Sequence, residues 1–243
     1  MADLYVPVGP GARPVVVLVH GGFWRAEYDR SLMAPLAVDL VAKGYAAWNI
    51  EYRRIGEAGG GWPGTFLDVA AAVDALAEEA AVDHDRVVSC GHSAGGHLAL
   101  WIAARSRIAA GGPGANPPVR VAAAVSQAGV ADLARGWSDA LGGEAVAALM
   151  GGSPAALPDR YAAGDPAALL PLGVAQLLVH GEADGNVPVS QSIDYAAKAA
   201  TAGDDVAVVT FPRTDHFAMI DPTHPSWTTV TDRLPKLIAG RTS

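Results

Sequence analysis

The sequence predicts an α/β fold, built as a mostly parallel twisted sheet of about seven strands with helices on both faces. Valine-rich apolar runs recur along the chain, and segments with helical periodicity lie between them. This alternation implies right-handed crossovers and places a ligand site at the carboxyl ends of the strands. A chain of 243 residues with 51% hydrophobic content can bury one large core, so we expect a single domain over residues 1–243.

The strands are predicted from six short apolar runs, at residues 15–19, 46–50, 87–90, 121–126, 176–179 and 206–211. Residues 4–8 are expected to add an edge strand, where Pro7 is tolerated. Helices are predicted in the gaps, at residues 31–43, 64–79, 94–105, 190–202 and 226–238. Residues 131–173 break the alternation, because they are rich in Gly, Pro and Asp and contain one clear short helix at 144–150. We expect this region to form a small lid over the strand ends.

Composition and charge argue against several kinds of partner and several classes of protein. The net charge is −8 and no Lys/Arg cluster is present, which argues against nucleic acid or an anionic membrane as partner. Cys90 is the one cysteine, so no intrachain disulfide can form, and we expect it to be a small buried hydrophobic residue. The N-terminus lacks the pattern of a signal peptide, and no apolar stretch reaches membrane-spanning length. These features predict a cytoplasmic protein and carry no prediction of its oligomeric state.

The strongest motif lies between the strand at 87–90 and the helix that follows it. Residues 91–95 fit the G-x-S-x-G pattern of a nucleophile elbow, in which a strand turns at once into a helix. Small neighbours are needed for that turn to close, and the serine hydroxyl then projects at the sheet edge. Ser93 is therefore the candidate nucleophile.

A serine nucleophile requires a base and an orienting acid, which in the order Ser, Asp, His come from loops after later strands. Asp184 follows the strand at 176–179, and His216 follows the strand at 206–211. Both are expected at the edge where Ser93 lies. Glu182 shares the loop of Asp184 and stays open as the alternative acid, whereas Asp215 adjoins His216 and is a weaker alternative.

Donors for an oxyanion are expected from the loop after the first central strand, residues 20–24, and from the start of the helix after Ser93. Two glycines let this backbone approach a substrate and aim N–H groups at developing charge. We expect the N–H groups of Gly22, Phe23 and Ala94 to be the oxyanion donors, and His20 to brace the loop. The histidines have no metal-ligand spacing, so no metal and no cofactor is predicted.

From residue 15 to about residue 238, the chain resembles the α/β-hydrolase superfamily. Three segments are similar to the kynurenine formamidase (arylformamidase) branch and its esterase relatives, namely residues 20–24, 51–54 and 91–99. The resemblance implies Ser93 as nucleophile, Asp184 as acid and His216 as base, with the oxyanion loop at residues 21–23. In that branch the enzymes release formate from N-formyl-kynurenine.

The expected function is a serine hydrolase that cleaves a small ester or an aryl formamide through an acyl-enzyme. Four aromatic residues are expected to line the substrate pocket, namely Trp24, Trp62, Trp137 and Phe217. One alternative is a general short-chain carboxylesterase without formamidase activity. Another is a catalytically silent hydrolase fold that acts as a binding module.

Overall fold

The computed structural model describes residues 1–239, and residues 240–243 of the predicted domain lie outside the described residues. Seven strands form one sheet in the order β1-β3-β2-β4-β5-β6-β7. Their bounds are β1 Ala2–Tyr5, β2 Arg13–Val19, β3 Ala46–Ile50, β4 Val82–His92, β5 Ala123–Gln127, β6 Ala175–Gly181 and β7 Val206–Phe211. The edge strand β1 pairs antiparallel with β3, and all other pairs are parallel. The predicted fold class is confirmed.

The described helices occupy the connections between strands and the region after β5. They are α1 Ala34–Ala42, α2 Gly64–Asp74, α3 Ala94–Ala104, α4 Leu133–Ser138, α5 Ala145–Met150, α6 Pro158–Gly164, α7 Ser190–Thr201 and α8 Pro225–Ala239. Because β2 to β7 run parallel, the carboxyl ends of β4, β6 and β7 meet at one edge of the sheet.

Two hydrophobic cores cover the two faces of the sheet, and β2 contributes to both. Val15, Val17 and Val19 pack in the core that contains residues of α2, α3 and α7. Val16 and Leu18 pack in the core that contains residues of α1 and α8. All five are fully buried, as the continuous apolar run predicts for a central parallel strand. The sheet and its two helical layers thereby form a rigid base for the loops at the strand ends.

The region 131–173 holds three short α-helices, α4 to α6, and a 3-10 helix at Pro166–Leu169, where we expected one helix. Only α5 was visible in the sequence. The Asp132 side chain caps α4, and Pro158 lies in the first turn of α6. With six or seven residues each, α4 and α6 are too short to show an apolar period.

Cys90 lies within β4 and is fully buried, and burial raises the pKa of its thiol above the ordinary range. It therefore packs as a small hydrophobic residue and is not a reactive thiolate. Among the described residues, no helix combines the length and the apolar character needed to cross a membrane.

Candidate active site

Ser93 lies at the turn from β4 into α3, with a strained backbone of φ 56° and ψ −120°. Glycine is required on both sides of it. A Cβ on Gly91 would lie 2.0 Å from the Gly95 carbonyl oxygen, and a Cβ on Gly95 would lie 2.1 Å from the Val19 carbonyl oxygen. The close approach of these backbones forms the elbow and presents the Ser93 side chain at the carboxyl edge of the sheet.

Asp184 and His216 follow β6 and β7 and meet at the same edge. His216 Nδ1 donates a hydrogen bond to Asp184 Oδ2 over 2.6 Å. The other carboxylate oxygen, Oδ1, accepts from the main-chain N–H groups of Asn186 and Val187, each at 2.8 Å. The Asp184 carboxylate is fully buried, so its orientation is fixed by these donors.

A second histidine also contacts this carboxylate. His180 Nε2 lies 3.3 Å from Asp184 Oδ2 and 2.9 Å from the Val187 carbonyl oxygen. Burial alone would raise the pKa of Asp184, but the hydrogen bonds from His180 and His216 outweigh it and hold that pKa well below its ordinary range. Asp184 is therefore ionised and able to balance a cation on His216.

The two alternative acids have other partners. Glu182 accepts a hydrogen bond from the Thr210 hydroxyl, and Asp215 accepts one from the Ala218 N–H. Both side chains belong to exposed residues. The structure thus places Asp184, rather than Glu182 or Asp215, against the ring of His216.

Ser93 and His216 line one small cavity of about 60 Å³. The other lining residues are Gly22, Phe23, Tyr28, Leu32, His92, Asn186 and Phe217. Neither Ser93 Oγ nor His216 Nε2 has a hydrogen-bond partner among the described residues. Both atoms are thus available to a substrate, and catalytic contacts of this kind often tighten only when substrate binds.

His92 connects the elbow to the loop of His216. His92 Nε2 donates to the main-chain carbonyl of His216 over 3.0 Å, and the two rings lie 4.5 Å apart. Burial and the neighbouring His216 ring lower the pKa of His92 to about 3. His92 is therefore a neutral donor that fixes the backbone of the candidate base.

The expected oxyanion donors have unpaired N–H groups. Gly22 and Phe23 line the cavity, and their N–H groups make no hydrogen bond to any described residue. Ala94 is the first residue of α3, so its N–H has no acceptor within the helix. This arrangement can stabilise negative charge that develops on a carbonyl oxygen beside Ser93.

The structure corrects the expected aromatic lining. Trp24 is fully buried in the core beside His97, with ring centroids 5.4 Å apart. The backbone of Phe23 and Trp24 is left-handed, with φ of 50° and 56°, and Trp24 is not among the residues that line the cavity. Trp62 packs against Phe66, and Trp137 lies on α4, so neither lines the cavity.

Of the four expected aromatic residues, Phe217 lies at the cavity, half exposed. Sequence reasoning missed Tyr28, Leu32 and Asn186 as lining residues. Asn186 could have been found, because it follows Asp184 by two residues in a loop at a strand end. Tyr28 lies in the irregular segment after the Gly-Gly loop, and Leu32 lies in a four-residue 3-10 helix, Arg30–Met33. Neither segment is long enough to show a periodicity that indicates a side chain's direction.

The sheet order, the strained serine elbow and the aspartate–histidine pair after later strands define this chain as an α/β hydrolase by fold. Residues 2–199 match the model of the BD-FAE family, which is most of the chain. The chain belongs to the BD-FAE family.

The individual proteins that this chain resembles carry the name esterase. It is 29% identical over 204 residues to Esterase LipQ of Mycobacterium tuberculosis, covering 81% of this chain and 48% of the relative. The chain thus spans about half the length of that curated relative. A truncated carbohydrate esterase from gut microbiota superposes with a TM-score of 0.82 at 24% identity, covering 97% of this chain and 90% of the other. The butyrate-bound Est2 esterase of Thermogutta terrifontis superposes with a TM-score of 0.77 at 21% identity, covering 98% and 89%. At 24% and 21% identity, the likeness to these two structures supports the fold alone.

Proposed function

We propose that this protein is a serine esterase that cleaves small carboxylic esters through an acyl-enzyme. The observation that carries the proposal is the buried 2.6 Å bond between His216 Nδ1 and Asp184 Oδ2, in a cavity that Ser93 also lines. Membership of the BD-FAE family and the likeness to Esterase LipQ support the same reaction class.

In the proposed mechanism, Ser93 Oγ attacks the ester carbonyl while His216 Nε2 takes the hydroxyl proton. Asp184 holds the His216 ring with its hydrogen on Nδ1 and balances the imidazolium that forms. The N–H groups of Gly22, Phe23 and Ala94 stabilise the tetrahedral oxyanion. His216 then protonates the leaving alcohol, and the same ring activates the water that releases the acid.

The size of the cavity favours a short acyl group. Ligand pockets usually measure about 300–1,000 Å³, whereas the cavity at Ser93 measures about 60 Å³. It therefore accommodates one small substituent of the reacting carbonyl, and the rest of the substrate lies outside. Tyr28 and Phe217 line this cavity and are partly exposed to solvent.

An aryl formamide is the second candidate substrate, and the same small cavity favours it. Formyl is the smallest acyl group, so a cavity of about 60 Å³ presents no steric barrier to it. An amide nitrogen is a poorer leaving group than a phenolate or an alkoxide, so it depends more on protonation by His216.

The test is a substrate series with the purified protein. We expect kcat/KM to fall from p-nitrophenyl acetate through butyrate to octanoate, and Ser93→Ala to lower hydrolysis to the uncatalysed background. Ser106→Ala, at an exposed serine beyond the end of α3, is the matched control and should match wild type. Absence of ester hydrolysis, or retention of it in Ser93→Ala, would overturn the proposal. Negligible turnover of N-formyl-kynurenine alongside brisk ester hydrolysis would remove the formamide candidate.

A further inference from the structure

We infer that His20 and Glu51 form a positioning pair that holds the candidate oxyanion N–H groups in place, an inference that rests on the proposed function. His20 follows β2 and is fully buried, with its ring stacked on Tyr52 at 4.3 Å. Its Nδ1 lies 2.8 Å from the Gly21 carbonyl oxygen, and its Nε2 lies 2.9 Å from Glu51 Oε1. Glu51 belongs to the segment 51–54, for which the proposed reaction itself has no use.

The chemistry of Glu51 and of the Gly21 carbonyl determines which group donates each hydrogen bond to them. Burial would raise the pKa of Glu51, but the hydrogen bond from His20 and those from the N–H groups of Arg30 and Tyr52 lower it to about 2. Glu51 is therefore ionised, and neither its oxygen nor the Gly21 carbonyl can donate. Each of these two hydrogen bonds can therefore be donated only by a ring nitrogen of His20.

Anchoring these carbonyls orients the N–H groups beside them. In a planar trans peptide the C=O and the N–H point in opposite directions. His20 Nδ1 holds the Gly21 carbonyl, so the Gly22 N–H is turned away from His20. The Arg25 N–H holds the Gly22 carbonyl over 2.9 Å and fixes the Phe23 N–H in the same way. Neither of those two N–H groups has a hydrogen-bond partner among the described residues.

The loop needs such anchors because its backbone is strained. Gly22, Phe23 and Trp24 have φ of 108°, 50° and 56°. Left-handed conformations of residues other than glycine are strained and persist only where the surroundings hold them. The segment after β3 supplies two further bonds, from the Tyr52 hydroxyl to the His20 carbonyl at 2.9 Å and from the Ile55 N–H to the Trp24 carbonyl at 2.7 Å.

The charges around Glu51 allow its removal to be tested in a folded protein. The guanidinium groups of Arg30 and Arg54 lie 3.6 and 3.7 Å from Glu51, and each has a carboxylate partner of its own, Asp3 and Glu57. Glu51→Gln therefore leaves both arginines paired. It replaces the ionised acceptor of the His20 Nε2 hydrogen bond by a neutral amide.

The experiment compares Glu51→Gln with Asp68→Asn, whose carboxylate pairs with Arg53 of the same segment and does not contact the loop. We expect Glu51→Gln to lower kcat/KM for p-nitrophenyl acetate about tenfold or more, because loss of a whole oxyanion donor costs about 10²–10³-fold. The Ki of a trifluoromethyl ketone, whose serine adduct carries an oxyanion, should rise by the same factor. Asp68→Asn should stay within about twofold of wild type in both measurements.

Two readouts separate this inference from the proposed function. Backbone hydrogen exchange of residues 20–25 should quicken in Glu51→Gln and not in Asp68→Asn, whether or not the protein hydrolyses esters. Nitrogen NMR of the histidine rings should show changed His20 signals in Glu51→Gln and unchanged ones in Asp68→Asn. Unchanged His20 signals, unchanged exchange in the loop, or unchanged ketone affinity in a folded Glu51→Gln overturns the positioning role. Absence of ester hydrolysis in wild type overturns the proposed function alone.

Discussion

Replacement of Asp184 by Asn is expected to move the ring hydrogen of His216 from Nδ1 to Nε2. The contacts of the carboxylate give the reason. Oδ1 accepts two main-chain N–H groups, those of Asn186 and Val187, so the oxygen of an asparagine must occupy that position. The amide nitrogen then takes the place of Oδ2, opposite His216 Nδ1. Its hydrogens force Nδ1 to accept, which moves the ring hydrogen to Nε2 and leaves no base for Ser93.

The magnitude follows from that change of tautomer. The corresponding aspartate-to-asparagine change lowers kcat about 10⁴-fold in a serine protease of the trypsin type. At about 1.36 kcal/mol per factor of ten, this corresponds to roughly 5.4 kcal/mol of transition-state stabilisation. We expect a loss of this order in the kcat/KM of Asp184→Asn for p-nitrophenyl acetate at neutral pH, with a thermal unfolding temperature close to that of wild type.

Two matched variants test the assignment of the acid. Glu182→Gln and Asp215→Asn change carboxylates of the neighbouring loops whose partners are Thr210 and Ala218. Both should retain activity within a few-fold of wild type. The reasoning is refuted if Asp184→Asn keeps more than about a tenth of the wild-type activity, or if Glu182→Gln is the damaging change.

Three further changes test the elbow, the region 131–173 and the cavity. Gly95→Ala should lower the unfolding temperature and abolish activity, because its Cβ would lie 2.1 Å from the Val19 carbonyl oxygen; a stable, active variant would contradict the elbow geometry. Burial and the neighbouring Asp132 raise the pKa of Asp165 to about 7, above its ordinary 3.8. The folded state therefore binds the extra proton between these values, so the contribution of Asp165 to stability is lost as the pH rises through about 7. The unfolding temperature of wild type minus that of Asp165→Asn should therefore fall between about pH 5 and 7.5. Tyr28→Ala should widen the cavity and raise the kcat/KM ratio of octanoate over acetate esters, whereas an unchanged ratio would show that Tyr28 does not limit the acyl chain.

Much of the sheet could be predicted because its strands are short apolar runs, buried in β3 and partly buried in β7. The apolar runs at 46–50 and 206–211 match β3 Ala46–Ile50 and β7 Val206–Phe211 at both ends. The run at 87–90 marks only the apolar half of β4, since Asp83, His84 and Asp85 extend that strand with polar residues. The buried part of a strand can be recognised by its apolar residues, whereas the solvated extension of a strand consists of polar residues and cannot be recognised in this way.

The order of Ser93, Asp184 and His216 along the chain was sufficient to place them at one sheet edge, because parallel strands end together. The direction of Trp24 could not be predicted in the same way. Left-handed conformations of Phe23 and Trp24 are set by contacts with distant residues, and no local sequence signal marks them. The bond from His20 to Glu51 likewise joins two loops that only the adjacency of β2 and β3 brings together.

The central claim is that Ser93 is a nucleophile activated by His216. Treatment of the purified protein with a fluorophosphonate probe, followed by mass spectrometry of its peptides, tests it most directly. We predict stoichiometric labelling of Ser93, no labelling of Ser93→Ala, and much slower labelling of Asp184→Asn. Absence of label in wild type, label on another residue, or equal labelling of Ser93→Ala would contradict the claim.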